Sequence, residues 1–341
     1  ENGKVECWGS NSYRQLIDVA RSATSWRYPY PSSIPSTGVS DLQAGAGFTA
    51  YVKDGKVYAY GIGTSGQLGN GGVATSTGTA PTAVIENTNS TAITDITRVA
   101  VGQSHMLALA NDGTVWAWGL QTTGRLGNNA TAAANISKAV KVWRAAGTNL
   151  ADVVSISAGG SISAFIDKNN EVWVAGNAYC NGLAAANGLA QKILKSAGGA
   201  AFTAKKVVCG TNHILAIGTD DKLYTWGVMA ANEGTLGSGA TTALNRQYPA
   251  AVTGGGFDTK KVLDIATMYK SNLALRDDGE VMAWGTNASG QLGQGATSAC
   301  VAAPTVMPVT LSGTTEAQRA KKLRAKIYIG SDFSVVMVPV D

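Results

Sequence analysis

The chain has 341 residues and a net charge of +5; 14% of its residues are charged, against the ~25% usual for soluble domains, and its 42 glycines are nearly double the usual share. The positive charge is dispersed rather than gathered in one basic run, which argues against a nucleic-acid partner. No apolar stretch reaches the ~18 residues of a spanning helix, and so much glycine favours tight turns over long helices.

Glu1 opens the chain without an initiator Met or a signal segment, which reads as a mature form or a piece of a longer product. A Gly3-Lys4 turn then precedes Val5-Glu6-Cys7-Trp8-Gly9, a short β-branched and aromatic run ending in glycine. The segment Ser25 to Tyr30 follows, expected as a loop. Its Trp26, Arg27 and Tyr28 have the composition of an interface hot spot, and although Tyr30-Pro31 has a repeat counterpart in Tyr248-Pro249, Trp26 and Tyr28 have none, so the three are candidate partner-binding residues.

The strand signature returns five times, as VYAYG ending at Gly61, VWAWG at Gly119, VWVAG at Gly176, LYTWG at Gly227 and VMAWG at Gly285. Successive closing glycines are 51 to 58 residues apart, the length of one four-stranded sheet. Each run follows a turn pair such as Asp54-Gly55, Asp112-Gly113 or Asp278-Gly279, suited to a two-residue hairpin. An apolar strand precedes the turn, as in Met106 to Leu109, and a loop such as Gly66-Gln67-Leu68-Gly69 or Gly124-Arg125-Leu126-Gly127 follows the run. Each unit is therefore expected to be an antiparallel meander that needs neighbours to bury its faces.

Beside the leading strands stand Lys205-Lys206, Lys260-Lys261 and Lys321-Lys322 in three successive units, where the other three carry Asp41, Asp95 and Asp152. This polarity makes the six lysines a candidate surface for an acidic partner, against the plainer reading of lysines blunting a solvated strand edge.

The last segment, Ile327 to Met337, is an upstream strand pair lacking its downstream run, and the first run lacks its upstream strands. Joining the two ends restores a sixth unit, so the fold class expected is all-β, a six-bladed β-propeller forming one domain over 1–341, with seven blades as the alternative. The closing sheet should act as a latch, with Trp8 buried in it at a gain of up to about 4–6 kcal/mol.

These motifs resemble the regulator of chromosome condensation repeat, with its Gly-Gly-x-His-type strand, Asp-Gly turn, V-x-x-W-G strand and N-x-x-G-Q-L-G loop. Gly102 to Gly127 fits best; Asn169-Asn170, Ala175 and Gly182-Leu183-Ala184 depart from the pattern in the fourth signature, and Met268 replaces an expected glycine in the sixth. The resemblance implies a propeller acting through large protein interfaces, since members include an exchange factor bound to chromatin, ubiquitin-ligase modules and secreted enzyme inhibitors.

Nothing in the residues requires catalysis. His105 and His213 occupy the slot that holds Phe48, Ile162 and Phe333 elsewhere, a packing slot. Cys7 and Cys209 align with small apolar residues and read as core fillers, whereas Cys180 and Cys300 fall in loops, where a free thiol or a disulfide stays open. The Asp pairs at 220–221 and 277–278 lack calcium-loop spacing, and no nucleotide, hydrolase or zinc motif appears. The expectation is thus a non-enzymatic protein-binding module without cofactor or metal. Its setting is expected to be an extracellular bacterial or phage assembly, tail-associated or receptor-binding, with host-surface receptors or virion proteins as partners. The alternatives are an exchange factor or chromatin-associated regulator, and a secreted inhibitor.

Overall fold

The structure is a computed structural model that describes residues 5–16, 26–31, 34–35, 37–76, 81–308, 325–330 and 333–337, the segment 26–31 by its backbone. Strands β1 (Glu6–Gly9) and β2 (Trp26–Pro31) pair as one two-stranded sheet. A three-stranded sheet follows: β3 (Val39–Ala44), β4 (Phe48–Lys53) and β5 (Lys56–Gly61). The next sheet has four strands, β6 (Ile96–Val101), β7 (His105–Ala110), β8 (Val115–Leu120) and β9 (Asn135–Lys141); β10 (Trp143–Ala145) and β11 (Thr148–Asn149) form a small hairpin after it. Two more four-stranded sheets are β12 (Val153–Ala158) to β15 (Asn187–Lys192), through β13 (Ile162–Asp167) and β14 (Val172–Gly176), and β16 (Ala204–Cys209) to β19 (Leu244–Ala251), through β17 (His213–Gly218) and β18 (Leu223–Met229). The last is β20 (Val262–Met268), β21 (Ser271–Arg276), β22 (Val281–Asn287) and β23 (Ser298–Val306), and β24 (Lys326–Ile329) with β25 (Ser334–Met337) ends the described chain.

All pairings between these strands are antiparallel and sequential, so each unit is the meander its turn pairs predict. In the β3–β5 sheet the fourth strand is reduced to a single bridge, Tyr58 to Ala83. The aromatic signature strand supplies the core: Trp118, Trp226 and Trp284 are fully buried. Each indole also caps the unit before it, because Trp118 Nε1 donates to Gln67 O at 2.9 Å, Trp226 to Cys180 O at 2.9 Å and Trp284 to Thr235 O at 3.1 Å. A buried carbonyl left without a donor costs about 1–3 kcal/mol, so the signature tryptophan is both filler and cap.

The departure at Ala175 has a structural answer. That position has no indole to offer, since Trp173 of the same strand donates to Asp167 Oδ2 at 3.0 Å, and the hydroxyl of Ser163, one strand inward, donates to Arg125 O at 2.7 Å instead. Thr49 and Ser334 do the same toward Gln15 O at 2.8 Å and Gln291 O at 2.7 Å. Each unit thereby closes the loop of the one before it.

The inner turns set how closely sheets approach. A Cβ on Gly102 would meet Gly159 O at 2.5 Å, and one on Gly159 would meet Gly210 O at 2.1 Å. Backbone bonds cross at the same place, Gln103 N to Gly159 O at 3.1 Å and Gly160 N to Gly210 O at 3.1 Å. Met268 stands where this glycine is absent, and its side chain packs on the cluster that includes Ile327 and Ile329.

At the two chain ends the described strands form separate two-stranded sheets, β1–β2 and β24–β25; the residues expected to join them, 1–4 and 338–341, lie outside the described set. The expectation that Trp8 is buried is corrected: it is 61% exposed, whereas its counterparts Tyr60, Trp118, Trp226 and Trp284 are at most 1% exposed. Phe333, equally exposed at 61%, sits in the slot that Phe48 and His105 fill at 0%. The cause is shared: each of these sheets packs one face on its neighbour, through Ile327 and Ile329 or through Val5, and among the described residues no strand covers the side that bears Trp8 or Phe333.

Candidate partner-binding surfaces

The first strand of each of the five sheets with three or four strands bulges at one register point, between Val39 and Asp41, Ile96 and Arg98, Val153 and Ser155, Ala204 and Lys206, and Val262 and Asp264. A bulge re-aims the next side chain. Asp41, Arg98, Ser155, Lys206 and Asp264 consequently form one column of equivalent residues, and Asp41, Arg98 and Lys206 line a common cavity of about 460 Å³ between the inner strands. At the carboxyl ends of the same strands, Gly45, Gly102, Gly159, Gly210 and Tyr269 from five sheets line a second cavity of about 190 Å³, so these sheets are arranged around one axis. The column's acids are engaged: Asp41 accepts from Val99 N at 2.9 Å, and Asp264 pairs with Lys206.

This separates the predicted lysines. Lys206 belongs to the axial column. Lys205 and Lys261 converge on Asp221, Lys261 at 3.4 Å, and the Lys205 hydrogen bond is the leading cause holding the Asp221 carboxyl below the usual range. Lys260 lies within electrostatic reach of Asp278. The polarity read at one repeat position therefore resolves into two: Lys261 is the counterpart of Asp95 and Asp152, each offering its carbonyl to the next hairpin, whereas Lys206 is the counterpart of Asp41. Lys321 and Lys322 lie outside the described residues.

The segment expected as an aromatic loop is instead the strand β2, with Trp26 opposite Gly9 and Tyr30 opposite Cys7. The side chains of Trp26, Arg27 and Tyr28 lie outside the described set.

The two ends of the strands differ in charge. On the rim bearing the carboxyl ends of the inner strands, the described loops and turns carry four charged side chains, Arg14, Arg125, Glu233 and Lys270. Arg125 is buried and donates to Gly160 O at 2.7 Å and Thr122 O at 2.9 Å, and Glu233 pairs with Lys270 at 2.6 Å. Val73 and Leu183 are exposed there. The opposite rim holds the Asp-rich hairpins and the Lys205–Asp221–Lys261 cluster.

Both histidines are buried between sheets. His105 Nε2 lies 2.9 Å from Ser163 Oγ, and because that hydroxyl donates to Arg125 O, the imidazole donates to it. His213 Nε2 lies 2.7 Å from Asn272 Oδ1, whose amide nitrogen is committed to Thr235 O, so this imidazole donates too. Burial is the main cause that lowers their pKa values, to about 3 for His105 and about 4 for His213. Where the slot is apolar its partner is apolar: Phe48 shares a cluster with Met106, and Ile162 with Ile214.

Cys180, expected in an accessible loop, is buried, with its thiol donating to Asn212 O at 3.0 Å. Burial raises its pKa and pushes the Cys209 thiol up to about 12. Neither is a nucleophile at neutral pH.

Sequence reasoning missed one group, at the outer edge of the β6–β9 sheet. Trp143 pairs across β10–β11 with Asn149, where the corresponding bridges elsewhere are Ile85–Ala92 and Leu194–Ala201. The signal was present as a single aromatic in a run of aliphatic positions, but that alignment requires the bridges.

Comparison with known proteins fits this architecture. Human HERC2, an E3 ubiquitin-protein ligase, is 26% identical over 351 residues, covering 87% of this chain but 7% of its own length. Human WBSCR16 superposes with a TM-score of 0.76 at 20% identity, over 98% of this chain and 82% of that one. Yeast RCC1 (Prp20) bound to Kap60 superposes with a TM-score of 0.72 at 18% identity, over 98% of this chain and 76% of that one. A second structure of Prp20p from Saccharomyces cerevisiae, reported with its binding to Gsp1p and histones, gives 0.58 at 15% identity, over 99% and 92%. At such identities the superpositions show the fold alone. The RCC1-like domain family matches residues 1–336, and with the signature strands, capped loops and glycine turns described above the chain belongs to the RCC1-like domain family of β-propellers.

Proposed function

We propose that this chain is a non-enzymatic protein-binding propeller that docks its partner on the rim bearing the carboxyl ends of the inner strands. The supporting observation is the charge asymmetry: among the described residues that rim carries few charges, with Arg125 buried and Glu233 paired to Lys270, and exposes Val73 and Leu183, whereas the lysines of the other rim and axis are engaged by Asp221 and Asp264. Interface centres are depleted in charge, and an acidic partner at the lysines would first have to displace these aspartates. The test is a partner found by proximity labelling and reconstituted from purified components. Val73→Arg with Leu183→Arg should weaken binding at least tenfold while Lys205→Glu with Lys261→Glu leaves it unchanged; the reverse pattern would return the site to the lysine sector, including Lys206, Lys260, Lys321 and Lys322, with Trp26, Arg27 and Tyr28.

The blade count belongs to the same proposal. Six blades follow from six signature strands, with 1–9 and 326–341 sharing the closing sheet, and the exposed faces of Trp8 and Phe333 are what such a closure would cover.

The cellular role has two readings. A nucleotide-exchange or chromatin-associated role draws on the likeness to Prp20, and accelerated nucleotide release from a small GTPase is its measurement. An extracellular or virion-associated module draws on low charge and on loops rich in Ala, Thr, Asn and Gly, and resistance of the folded chain to proteases is the check.

A further inference from the structure

A cleft of about 470 Å³ lies at the outer edge of the β6–β9 sheet, away from the axis, and within the range of small-ligand sites. Its walls are fixed by backbone bonds: Asn87 N donates to Ala139 O at 2.9 Å, Ala139 N to Ile85 O at 2.8 Å, and Trp143 N to Gly127 O at 2.7 Å. The polar and aromatic residues lining it are Asn87, Thr88, Asn128, Trp143 and Asn149, with Glu86, Trp116 and Lys141 at one end.

These polar groups are uncommitted, unlike the amides that build the loops. Asn181 and Asn287, for instance, hold their own loops through both side-chain atoms. In the cleft, among the described residues, the side chains of Asn87, Thr88, Trp143 and Asn149 make no hydrogen bond, and Trp143 has no ring partner. Asn128 donates from Nδ2 to Gln121 Oε1 at 2.7 Å, but its Oδ1 is buried and unbonded. A buried acceptor without a donor costs about 1–3 kcal/mol, so a small turn of the Asn128 side chain toward the cleft would let a ligand hydroxyl or N–H recover that cost. The charges at the cleft's end engage one another: Lys141 Nζ lies 3.8 Å from the Trp116 ring centroid, donates to Thr114 Oγ1 at 2.8 Å, and feels Asp112 and Glu86. An ionic ligand gains little there.

We propose that this cleft binds a neutral saccharide. Such a ligand matches the surface part by part: its hydroxyls supply the donor that Asn128 Oδ1 lacks and engage the free amides of Asn87 and Asn149, while an apolar ring face lies on the Trp143 indole. A neighbouring cavity of about 380 Å³, which shares Glu86, Trp116 and Lys141 with the cleft and is lined further by Thr91, Thr94, Asp95, Asn111 and Asp112, gives a longer glycan room to continue. This inference is independent of where a protein partner docks.

The test is a titration of the whole chain with neutral mono- and disaccharides, N-acetylated sugars included, read by tryptophan fluorescence and calorimetry. At least one sugar should bind saturably, Trp143→Ala should weaken it tenfold or more, and Asn149→Ala several-fold with an unchanged melting temperature. Val73→Arg with Leu183→Arg should leave sugar binding intact. The proposal is overturned if no sugar binds saturably, if both cleft variants bind as the parent does, or if an uncharged peptide binds there in place of any sugar.

Discussion

At the scale of single residues, stability rests on capping carbonyls between sheets, and the donor matters more than its identity. Ser163 occupies two roles, accepting from His105 Nε2 and donating to Arg125 O. Ser163→Ala should therefore destabilise the fold by about 2–4 kcal/mol, more than a typical single hydrogen bond, because it orphans two buried groups at once. Urea denaturation measures it, and an unchanged midpoint would refute the capping role. The histidines make the fold sensitive to acid. Their folded pKa values, about 3 and about 4, lie below the ~6.5 of the unfolded chain, so the unfolded state takes up protons that the native state refuses. Stability contributed by neutral burial is present above pH ~6.5 and falls as pH drops through ~6.5 toward ~4, by up to about 1.4 kcal/mol per pH unit for each histidine. Denaturation midpoints at several pH values should show this slope, and it should halve in a variant with His213→Gln; a slope unaltered by that change would place the acid sensitivity elsewhere.

Among the elements, the inner turns are the least tolerant. Gly159→Ala forces a methyl group toward Gly210 O, which a Cβ would meet at 2.1 Å, and the neighbouring backbone is held by its own bonds. The expected cost is about 1–3 kcal/mol, whereas Gly188→Ala, at the start of an outer strand, tests whether crowding against a loop is relieved more cheaply. Differential scanning calorimetry on the two variants decides whether the axial turns or the outer strands govern packing. Glycine at these turns was legible in the sequence as a repeat, but its reason was not: the contact is with the next sheet, some fifty residues away in the chain.

For the molecule as a whole, the seam between β25 and β1 is the open question of stability. If the terminal segments share a sheet, deletion of residues 1–9 exposes the apolar faces of both β3–β5 and β24–β25 and lowers the unfolding midpoint of the entire ring, since sheets that contact only their neighbours unfold cooperatively through their interfaces. A deletion that leaves the global transition untouched, read by circular dichroism and by tryptophan fluorescence together, rules that closure out.

The amino-acid sequence alone determined the units, because the alternation of β-branched and aromatic residues, the Asp-Gly pairs and the closing glycines are local requirements of hairpins. It also marked His105 and His213 as packing residues, through the Phe and Ile that share their slot. Tertiary structure decided what each unit meets. Lys205 and Lys206 are adjacent in sequence, yet a bulge turns one to the axis and leaves the other on the rim with Asp221. Cys180 reads as a loop residue and becomes core because the loop folds against Trp226, and Trp8 reads as core and is exposed because no described strand covers it. The cleft around Trp143 is visible only in three dimensions, since its walls come from two sheets and its evidence is a set of polar atoms without partners, which no local pattern encodes.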